Sequence, residues 1–280
     1  MFFKREELEK FIEEDIPYFD LTSFSLGIEE GEARISYFTR ENCIVSGSEE
    51  VKGIFEILGI EVENFVRSGS EVEEGTELIS GLGNVQNVQY AWKVGQNLLD
   101  NSCGIATKTR KLVNLLKNNG FNIPILTTRK VFPGTKKQVT KAILMGGAVP
   151  HRMGLSETIL VFDQHKEFLG GIENFVKKLD MVKLKCCEKK IVVEVKDFEE
   201  ARILARAGID GLQFDKVKAS ELEELIKELR LINPSIIILA AGGINENNIL
   251  EYARTGANGL VTTAMYHAKP IDIGVKIKEV

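Results

Sequence analysis

Two short segments of the chain place cations beside glycines, a combination that suits an anion-binding loop. The first carries Arg129 and Lys130 two residues after the apolar run 123–126, and the second carries His151 and Arg152 shortly after two glycines. Backbone N–H groups, a guanidinium fork and an ammonium group can converge on a phosphate or a carboxylate. A solvated basic loop is the alternative for either segment alone, and the proximity of the two segments favours an anion site.

Two carboxylates lie in successive strand-like runs. Glu194 lies inside the apolar run 191–195, and Asp215 ends the run 211–215. A carboxylate in an apolar strand is costly unless it is paired or binds a metal. At neighbouring strand ends, two carboxylates can hold Mg²⁺ through water or meet sugar hydroxyls. The alternative is a structural pair, in which each carboxylate caps a loop amide or bonds to Lys216.

A glycine pair, Gly242 and Gly243, follows the most apolar strand-like run of the chain. Glycines let the backbone approach a ligand closely, and Asn245 is placed to begin the next helix as its N-cap. We therefore predict a phosphate cradle at a helix N-terminus, with hydroxyls supplied by Thr262 and Thr263 after the next strand. A plain Gly-Gly turn is the alternative.

The elements that would carry these residues change in type near residue 123. Before it, strand-like segments are grouped and do not alternate with long helices, which is typical of an α+β domain. The predicted elements of this part are helices over 4–15, 51–58 and 89–118, the last broken near 102–104, strands over 31–38 and 62–66, and an irregular segment over 15–23.

From residue 123 onward, strand-like and helix-like runs alternate. Strands that are apolar throughout are typical of parallel sheets, and repeated β-α units indicate a doubly wound sheet or a barrel. We favour the barrel because polar residues end successive strands, where a barrel has its functional rim. The segment 271–277 alternates again and is predicted to return as a strand to the first part. The other predicted elements are strands over 123–128, 158–162, 191–195, 211–215, 236–240 and 259–263, and helices over 198–207, 219–231 and 247–255.

Composition narrows the class of protein. The chain has 280 residues, of which 44% are hydrophobic and 28% charged, as in ordinary globular proteins. Its net charge of -5 argues against nucleic acid as the main partner. No long apolar stretch follows the N-terminus, so we expect no signal peptide, no membrane span and a cytoplasmic location.

Taken together, these motifs resemble the quinolinate phosphoribosyltransferase family, the carboxylating nicotinate-nucleotide pyrophosphorylases. They are most similar to its ModD branch, which is associated with molybdenum-transport operons. The resemblance covers nearly the whole chain. The segments that carry it are 74–76, 97–99, 104–107, 128–130, 133–134, 151–155, 193–195, Asp215, 242–244 and 272–274.

The resemblance implies an α/β protein of the type II phosphoribosyltransferase fold. An N-terminal α+β domain, residues 1–106 rejoined by about 268–280, would precede an incomplete, TIM-like β/α barrel, residues 107–267. The implied reaction transfers phosphoribosyl from phosphoribosyl pyrophosphate to quinolinate or another small anionic aromatic acceptor, with Mg²⁺ as cofactor. The implied assembly is a homodimer with shared active sites, or a higher oligomer, with neither nucleic acid nor membrane as partner.

The resemblance also assigns roles to residues. The implied catalytic residues are Lys130, Glu194 and Asp215, with the two carboxylates at the ribose and the Mg²⁺-bound pyrophosphate. The implied acceptor-binding residues are Lys93, Arg129, His151, Arg152 and Phe162. The implied phosphate-binding residues are Lys141, Ala241, Gly242, Gly243, Thr262 and Thr263.

The acceptor side departs from the family pattern. Phe162 stands where the family has a lysine that helps to neutralise the dicarboxylate, and Lys93 stands where it has an arginine that reaches across the dimer. Lysine lacks the bidentate fork of arginine, and a buried carboxylate without a partner costs about 1–3 kcal/mol. One alternative is therefore a ModD-type protein with another acceptor, linked to molybdenum metabolism. The other is a non-catalytic binder of phosphate or an oxyanion, against which the retention of both Glu194 and Asp215 speaks.

Overall fold

The computed structural model describes residues 1–28 and 30–280, and the chain forms two compact units. Unit 1 comprises Met1–Lys111, Phe132–Gly147 and Met265–Val280, and unit 2 comprises Leu112–Val131 and Ala148–Ala264. The structure thus groups residues 132–147 with unit 1, whereas the predicted barrel domain of residues 107–267 includes them.

In chain order, the helices and strands are α1 (Arg5–Asp15), α2 (Leu21–Leu26), β1 (Glu32–Thr39), β2 (Cys43–Ile44), α3 (Ser48–Ile57), β3 (Glu61–Phe65), β4 (Glu71–Val72), β5 (Glu77–Asn84), α4 (Val85–Asn118), β6 (Ile125–Thr127), α5 (Lys136–Gly146), β7 (Val149–Pro150), β8 (Ile159–Val161), α6 (Asp163–Leu169), α7 (Ile172–Lys185), β9 (Ile191–Val195), α8 (Phe198–Arg206), β10 (Gly211–Asp215), α9 (Ala219–Ile232), β11 (Ile237–Ala241), α10 (Ile249–Arg254), β12 (Gly259–Thr262) and β13 (Ile273–Glu279).

Unit 1 is built on an antiparallel sheet of four strands in the order β13-β1-β5-β3. The alternation of β1 buries Ala33, Ile35 and Tyr37 in an apolar core, to which residues of α3 and α4 also belong. The Tyr37 hydroxyl donates a hydrogen bond of 2.7 Å to the Ala91 carbonyl oxygen of α4. The predicted return of the last segment is confirmed, because β13 pairs with β1.

Helix α4 is continuous, so the break predicted near residues 102–104 is wrong. Ser102 and Cys103 are buried within unit 1. A Cβ atom on Gly104 would come within 2.4 Å of the Lys269 carbonyl oxygen. These small residues therefore permit close packing of α4 against neighbouring segments of the same unit. The cost of one glycine in a long helix is only about 1 kcal/mol.

Helix α2 begins within the segment 15–23, for which the sequence predicts irregular structure, and continues beyond it to Leu26. Asp20 caps it, because its carboxylate accepts hydrogen bonds from the main-chain N of Thr22 and Ser23. Gly27 ends the helix in the left-handed conformation, with a φ of 67°. The cap and the glycine stop lie only about two turns apart, too short a span for a helical period to be recognised.

Unit 2 contains a sheet of seven strands in the order β7-β6-β12-β11-β10-β9-β8, and its neighbouring strands are parallel. It forms a half-barrel, which confirms the predicted incomplete barrel. Apolar side chains of β8 to β12, among them Leu160, Val192 and Val261, form a cluster on the sheet. Because the strands run in the same direction, the residues that follow them lie along one edge.

Within the described residues, no helix combines the length and the apolar character that crossing a membrane requires.

Candidate active site

The carboxyl edge of the unit 2 sheet carries a pocket of about 350 Å³. Its walls come from the residues at or just after the ends of the strands. Twelve of the predicted site residues line it, namely Arg129, Lys130, His151, Arg152, Phe162, Glu194, Asp215, Ala241, Gly242, Gly243, Thr262 and Thr263. The other lining residues are Thr128, Leu160, Gln213, Lys216 and Val261.

Glu194 and Asp215 supply the negative charge of the pocket. Glu194 is half-buried, and Gln213 on the neighbouring strand donates a hydrogen bond of 2.8 Å from Nε2 to its Oε2 atom. Burial raises the pKa of Glu194, the bond from Gln213 offsets part of that rise, and the charge of Asp215 raises it further. The two carboxylates therefore repel each other across the pocket, an arrangement that a cation would stabilise.

The donor set suits magnesium bound together with a substrate. Mg²⁺ is usually held by one or two carboxylates together with phosphate oxygens and water. Glu194 and Asp215 would supply the two carboxylates. In the described part of the chain no group of three His, Cys, Asp or Glu residues could hold a metal ion by itself. Further ligands would therefore come from a bound substrate.

The glycine loop after β11 is packed closely against the end of β10. Gly242 and Gly243 have φ values of 89° and 76°, which favour glycine. A Cβ atom on Gly242 would lie 2.6 Å from the Asp215 Oδ1 atom, so only glycine fits there. The main-chain N of Lys216 donates a hydrogen bond of 2.8 Å to the Ala241 carbonyl oxygen. The loop thus brings its backbone directly beside a proposed catalytic carboxylate.

Asn245 is not a helix N-cap, so that prediction is wrong. Helix α10 begins only at Ile249. The main-chain N of Asn245 donates to the Asn248 side chain at 2.8 Å, and both asparagine amides donate to the Gly243 carbonyl oxygen. Asparagine side chains commonly satisfy nearby backbone groups in this way, in competition with helix formation. An asparagine-braced loop therefore replaces the predicted helix terminus.

The cationic side of the pocket holds a buried guanidinium. Arg152 is only 8% exposed and donates a weak hydrogen bond of 3.5 Å to the Thr158 carbonyl oxygen. No carboxylate of the described residues lies within 4.0 Å of it. Burial and the charge of Arg129 lower its pKa, and burial and Arg152 lower the pKa of His151. This uncompensated positive charge is suited to an anionic ligand.

Comparisons with known proteins decide the family. Residues 20–103 match the family model described as "Quinolinate phosphoribosyl transferase, N-terminal domain". Residues 105–276 match the model described as "Quinolinate phosphoribosyl transferase, C-terminal domain". The chain belongs to the quinolinate phosphoribosyl transferase family. The predicted family and fold class are therefore confirmed, and the family is one of pentosyltransferases.

Individual relatives span the whole chain. The protein is 34% identical over 279 residues to the ModD protein of Pasteurella multocida (strain Pm70), with 100% of this chain and 99% of the relative covered. It is 32% identical over 297 residues to the carboxylating nicotinate-nucleotide pyrophosphorylase of Dictyostelium discoideum, with 99% and 97% covered. Its fold is similar to the nicotinate-nucleotide pyrophosphorylase structure from Francisella tularensis, with a TM-score of 0.88, 23% identity and coverage of 99% and 98%.

In this member of the quinolinate phosphoribosyl transferase family, an aromatic stack forms part of the pocket wall. The Phe162 and His165 rings are stacked with centroids 5.9 Å apart, and the Arg152 Cζ atom lies 5.9 Å from the Phe162 centroid. The main-chain N of Phe162 donates a hydrogen bond of 3.0 Å to His165 Nδ1. The ring therefore presents a fixed apolar face to the pocket.

Thr262 lines the pocket, but its hydroxyl already donates elsewhere. It donates to the Ile244 carbonyl oxygen, and it accepts a hydrogen bond of 3.0 Å from the main-chain N of Ala264. Since a hydroxyl has one proton, it has none left for a phosphate in this conformation. Thr262 therefore braces the glycine loop instead of supplying the predicted donor, whereas Thr263 remains available for that role.

Two predicted site residues belong to unit 1 and do not line this pocket. The Lys141 Nζ atom lies 2.7 Å from a Glu49 oxygen and 2.6 Å from a Glu50 oxygen, so it forms an internal ion pair. Its phosphate-binding role stays a prediction. The Lys93 Nζ atom donates a hydrogen bond of 3.1 Å to Gln96 and lies 4.8 Å from the Trp92 ring centroid. The role of Lys93 in a dimer stays a prediction.

Three polar residues that line the pocket, Thr128, Gln213 and Lys216, are not among the predicted site residues. Gln213 interrupts an apolar strand and stands opposite Glu194 in the sheet register, a pattern visible once the strands are paired. Lys216 follows Asp215 and has a φ of 61°, which is uncommon outside glycine. Its sequence neighbours gave no signal of that conformation.

Proposed function

We propose that the protein transfers a phosphoribosyl group from phosphoribosyl pyrophosphate to the ring nitrogen of a small anionic aromatic acceptor. The observation that carries this proposal is that one pocket combines two groups of side chains of opposite charge. It is lined by the carboxylates of Glu194 and Asp215, with Asp215 directly beside the glycine loop. It is also lined by Arg129 and Arg152, with Arg152 beside the Phe162 ring. A pure anion binder gains nothing from the carboxylates.

The donor would occupy the half with the carboxylates. Its 5′-phosphate would bind the backbone of the loop formed by Ala241, Gly242 and Gly243, with Thr263 nearby. Glu194 and Asp215 would contact the ribose and hold the Mg²⁺ that accompanies pyrophosphate. When bound, the ion neutralises the charge that develops on the leaving pyrophosphate.

The acceptor would occupy the cationic half. Arg129 and Arg152 would bind its anionic group, and Phe162 would contact the ring face. Burial and Arg152 lower the pKa of His151, which favours its neutral form, and His151 would orient the acceptor by a hydrogen bond. Lys130 would lie near both substrates.

In the proposed reaction, the bond between the ribose C1 atom and the pyrophosphate oxygen breaks, and its electron pair leaves with pyrophosphate. Glu194 and Asp215 stabilise the positive charge that develops on the ribose. The lone pair of the acceptor nitrogen then forms the new bond to C1, with Arg129 and Arg152 fixing its direction of approach. With quinolinate as acceptor, carbon dioxide would leave afterwards and a proton would take its place on the ring carbon.

A ModD-type acceptor other than quinolinate is the second candidate. The stack of Arg152, Phe162 and His165 favours it, because an aromatic face cannot neutralise a second carboxylate. The chain is also similar to the ModD protein of Pasteurella multocida. A link between this other acceptor and molybdenum metabolism is part of the second candidate. A non-catalytic phosphate or oxyanion binder is the third candidate.

Pyrophosphate release tests these proposals directly. The purified protein would be incubated with Mg²⁺ and phosphoribosyl pyrophosphate, together with quinolinate, nicotinate or another aromatic monocarboxylate in separate reactions. Acceptor-dependent release supports transfer, and the preferred acceptor separates the first candidate from the second. Binding of Mg²⁺-phosphoribosyl pyrophosphate without release with any acceptor would favour the non-catalytic binder.

The proposed enzyme is a homodimer in which Lys93 enters the site of the partner. Mixing a Lys93→Ala protein with a Glu194→Gln protein should then restore some activity, because mixed dimers contain one site with both residues intact. Failure to recover activity, despite subunit exchange shown by differently tagged chains, would exclude the shared site.

A further inference from the structure

Lys166, on α6, is a buried lysine in contact with the backbone of Glu194. Its side chain is 9% exposed, and Nζ donates a hydrogen bond of 3.4 Å to the Glu194 carbonyl oxygen. The same atom lies 2.7 Å from Glu200 Oε1 and 2.7 Å from Asp163 Oδ1. One ammonium group thus joins α6, the end of β9 and α8.

The ion pairs keep this lysine charged. Burial by itself would lower the pKa of Lys166, but the hydrogen bonds to Asp163 and Glu200 outweigh it and raise the pKa. Asp163 is 60% exposed, whereas Glu200 is 18% exposed. Glu200 is therefore the more strongly desolvated partner, and removal of the ammonium would leave its carboxylate uncompensated.

Lys166 also lies one helical turn from the aromatic wall of the pocket. Phe162 immediately precedes α6, and its carbonyl oxygen accepts a hydrogen bond of 3.2 Å from the main-chain N of Lys166. The segment that carries the Phe162 ring is therefore tied, through one side chain, to the segment that carries the Glu194 carboxylate. An ammonium has three protons, which matches the three oxygen atoms around Nζ.

We propose that Lys166 is a positioning residue that holds the end of β9, and with it Glu194, in register with the Phe162 segment. Its catalytic meaning rests on the proposed function, because Glu194 would act on the donor and Phe162 on the acceptor. Misplacement of such groups by about 1 Å can lower a rate by about a hundredfold.

The test compares three variants with the unmodified protein. Lys166→Met removes the ammonium, Lys166→Arg keeps a cation, and Glu200→Gln weakens the buried pair. Arg202→Met is the matched control, since Arg202 lies on α8 like Glu200 but pairs with Glu228 on α9 at 2.5 Å. Four measurements are made on each: hydrogen exchange of the 191–197 segment, the Kd of Mg²⁺-phosphoribosyl pyrophosphate by calorimetry, kcat, and the melting temperature.

In Lys166→Met we expect exchange in the 191–197 segment to rise at least about tenfold and kcat to fall by about tenfold to a hundredfold. Lys166→Arg should have an exchange rate and a kcat close to those of the unmodified protein. Glu200→Gln should have values between those of Lys166→Met and those of the unmodified protein. Arg202→Met should lower the melting temperature without changing exchange in that segment or the Kd. If Lys166→Met does not fold, the positioning role is tested with Lys166→Arg and Glu200→Gln. Their hydrogen exchange in the 191–197 segment and their Kd are then compared with those of Arg202→Met.

The positioning role would be overturned if Lys166→Met had the same hydrogen exchange in the 191–197 segment and the same Kd as the Arg202→Met control. Lys166 would then form a merely structural ion pair. If the unmodified protein fails to bind Mg²⁺-phosphoribosyl pyrophosphate, the proposed function fails, whereas the exchange measurement still decides whether Lys166 positions Glu194.

Discussion

Two buried cations, one in each unit, have nearly the same exposure and opposite surroundings. Lys141 in unit 1 is 5% exposed and bonds to Glu49 and Glu50. Arg152 in unit 2 is 8% exposed, and no carboxylate among the described residues pairs with it. A buried charge is costly unless it is compensated. The fold compensates the first cation internally, and we infer that the second is kept for a ligand.

Lys141→Met should produce the largest effect on stability. It leaves Glu50, whose side chain is 4% exposed, without its cation. Removal of one partner of a buried ion pair costs about 3–5 kcal/mol of unfolding free energy. Urea denaturation followed by circular dichroism measures this loss. A decrease of less than about 1 kcal/mol, the range of exposed pairs, would contradict the comparison.

Arg152→Met is the counterpart of that variant in unit 2. Because no carboxylate is left unpaired, its unfolding free energy should be unchanged or higher by about 1 kcal/mol. Acceptor binding should be lost at the same time. If this variant is destabilised as strongly as Lys141→Met, Arg152 is a structural residue and the contrast between the two cations disappears.

Glu194→Gln sharpens the comparison from the anionic side of the pocket. We expect the protein to remain folded and its kcat to fall by about a hundredfold to a thousandfold. This corresponds to a loss of about 2.7–4 kcal/mol of transition-state stabilisation. Because the pKa of Glu194 is raised, its carboxylate is protonated at a higher pH than an ordinary glutamate. As pH falls, the unmodified protein should therefore lose activity at a higher pH than an ordinary carboxyl group would cause. A folded Glu194→Gln protein with full activity would remove Glu194 from the mechanism.

Phe162→Lys adds a cation where the pocket has an aromatic face. It should improve quinolinate binding by up to about tenfold, since one exposed or half-buried ion pair contributes about 1 kcal/mol. The unmodified protein should show weak or no quinolinate-dependent pyrophosphate release. A catalytic efficiency of about 10⁴ M⁻¹s⁻¹ or more for the unmodified protein would show that Phe162 is no barrier to quinolinate.

Asp100 extends the comparison to an anion in unit 1. Burial raises its pKa to about 6, and the charge of Asp272 raises it, against a hydrogen bond from the main-chain N of Ile273. Since the folded protein holds this proton more tightly than the unfolded chain, the contribution of Asp100 to stability should fall as pH rises from about 4 to about 6 and then stay level.

Asp100→Asn should remove that pH dependence. At pH 7 the variant should be more stable by about 1 kcal/mol, because solvent screening reduces the full linkage energy. Thermal unfolding at pH 4, 6 and 8 measures the difference. Equal pH profiles for the two proteins would show that the Asp100 proton makes no contribution.

The sequence by itself determined the parallel sheet of unit 2 and the edge at which the pocket lies. Apolar runs identify buried strands, and a residue that ends a parallel strand must lie at its carboxyl edge, whatever the rest of the chain does. Arg129, Glu194 and Asp215 could therefore be assigned to one site before any contact was known.

Only the tertiary structure decided what the other charged and polar groups do. Lys141 is held by Glu49 and Glu50, which precede it by more than ninety residues, and Lys166 meets the backbone of Glu194. The loop around Asn245 depends on side-chain bonds that a helical pattern does not reveal. The energy of a buried charge depends on which groups lie within a few ångströms of it, and packing alone brings those groups together.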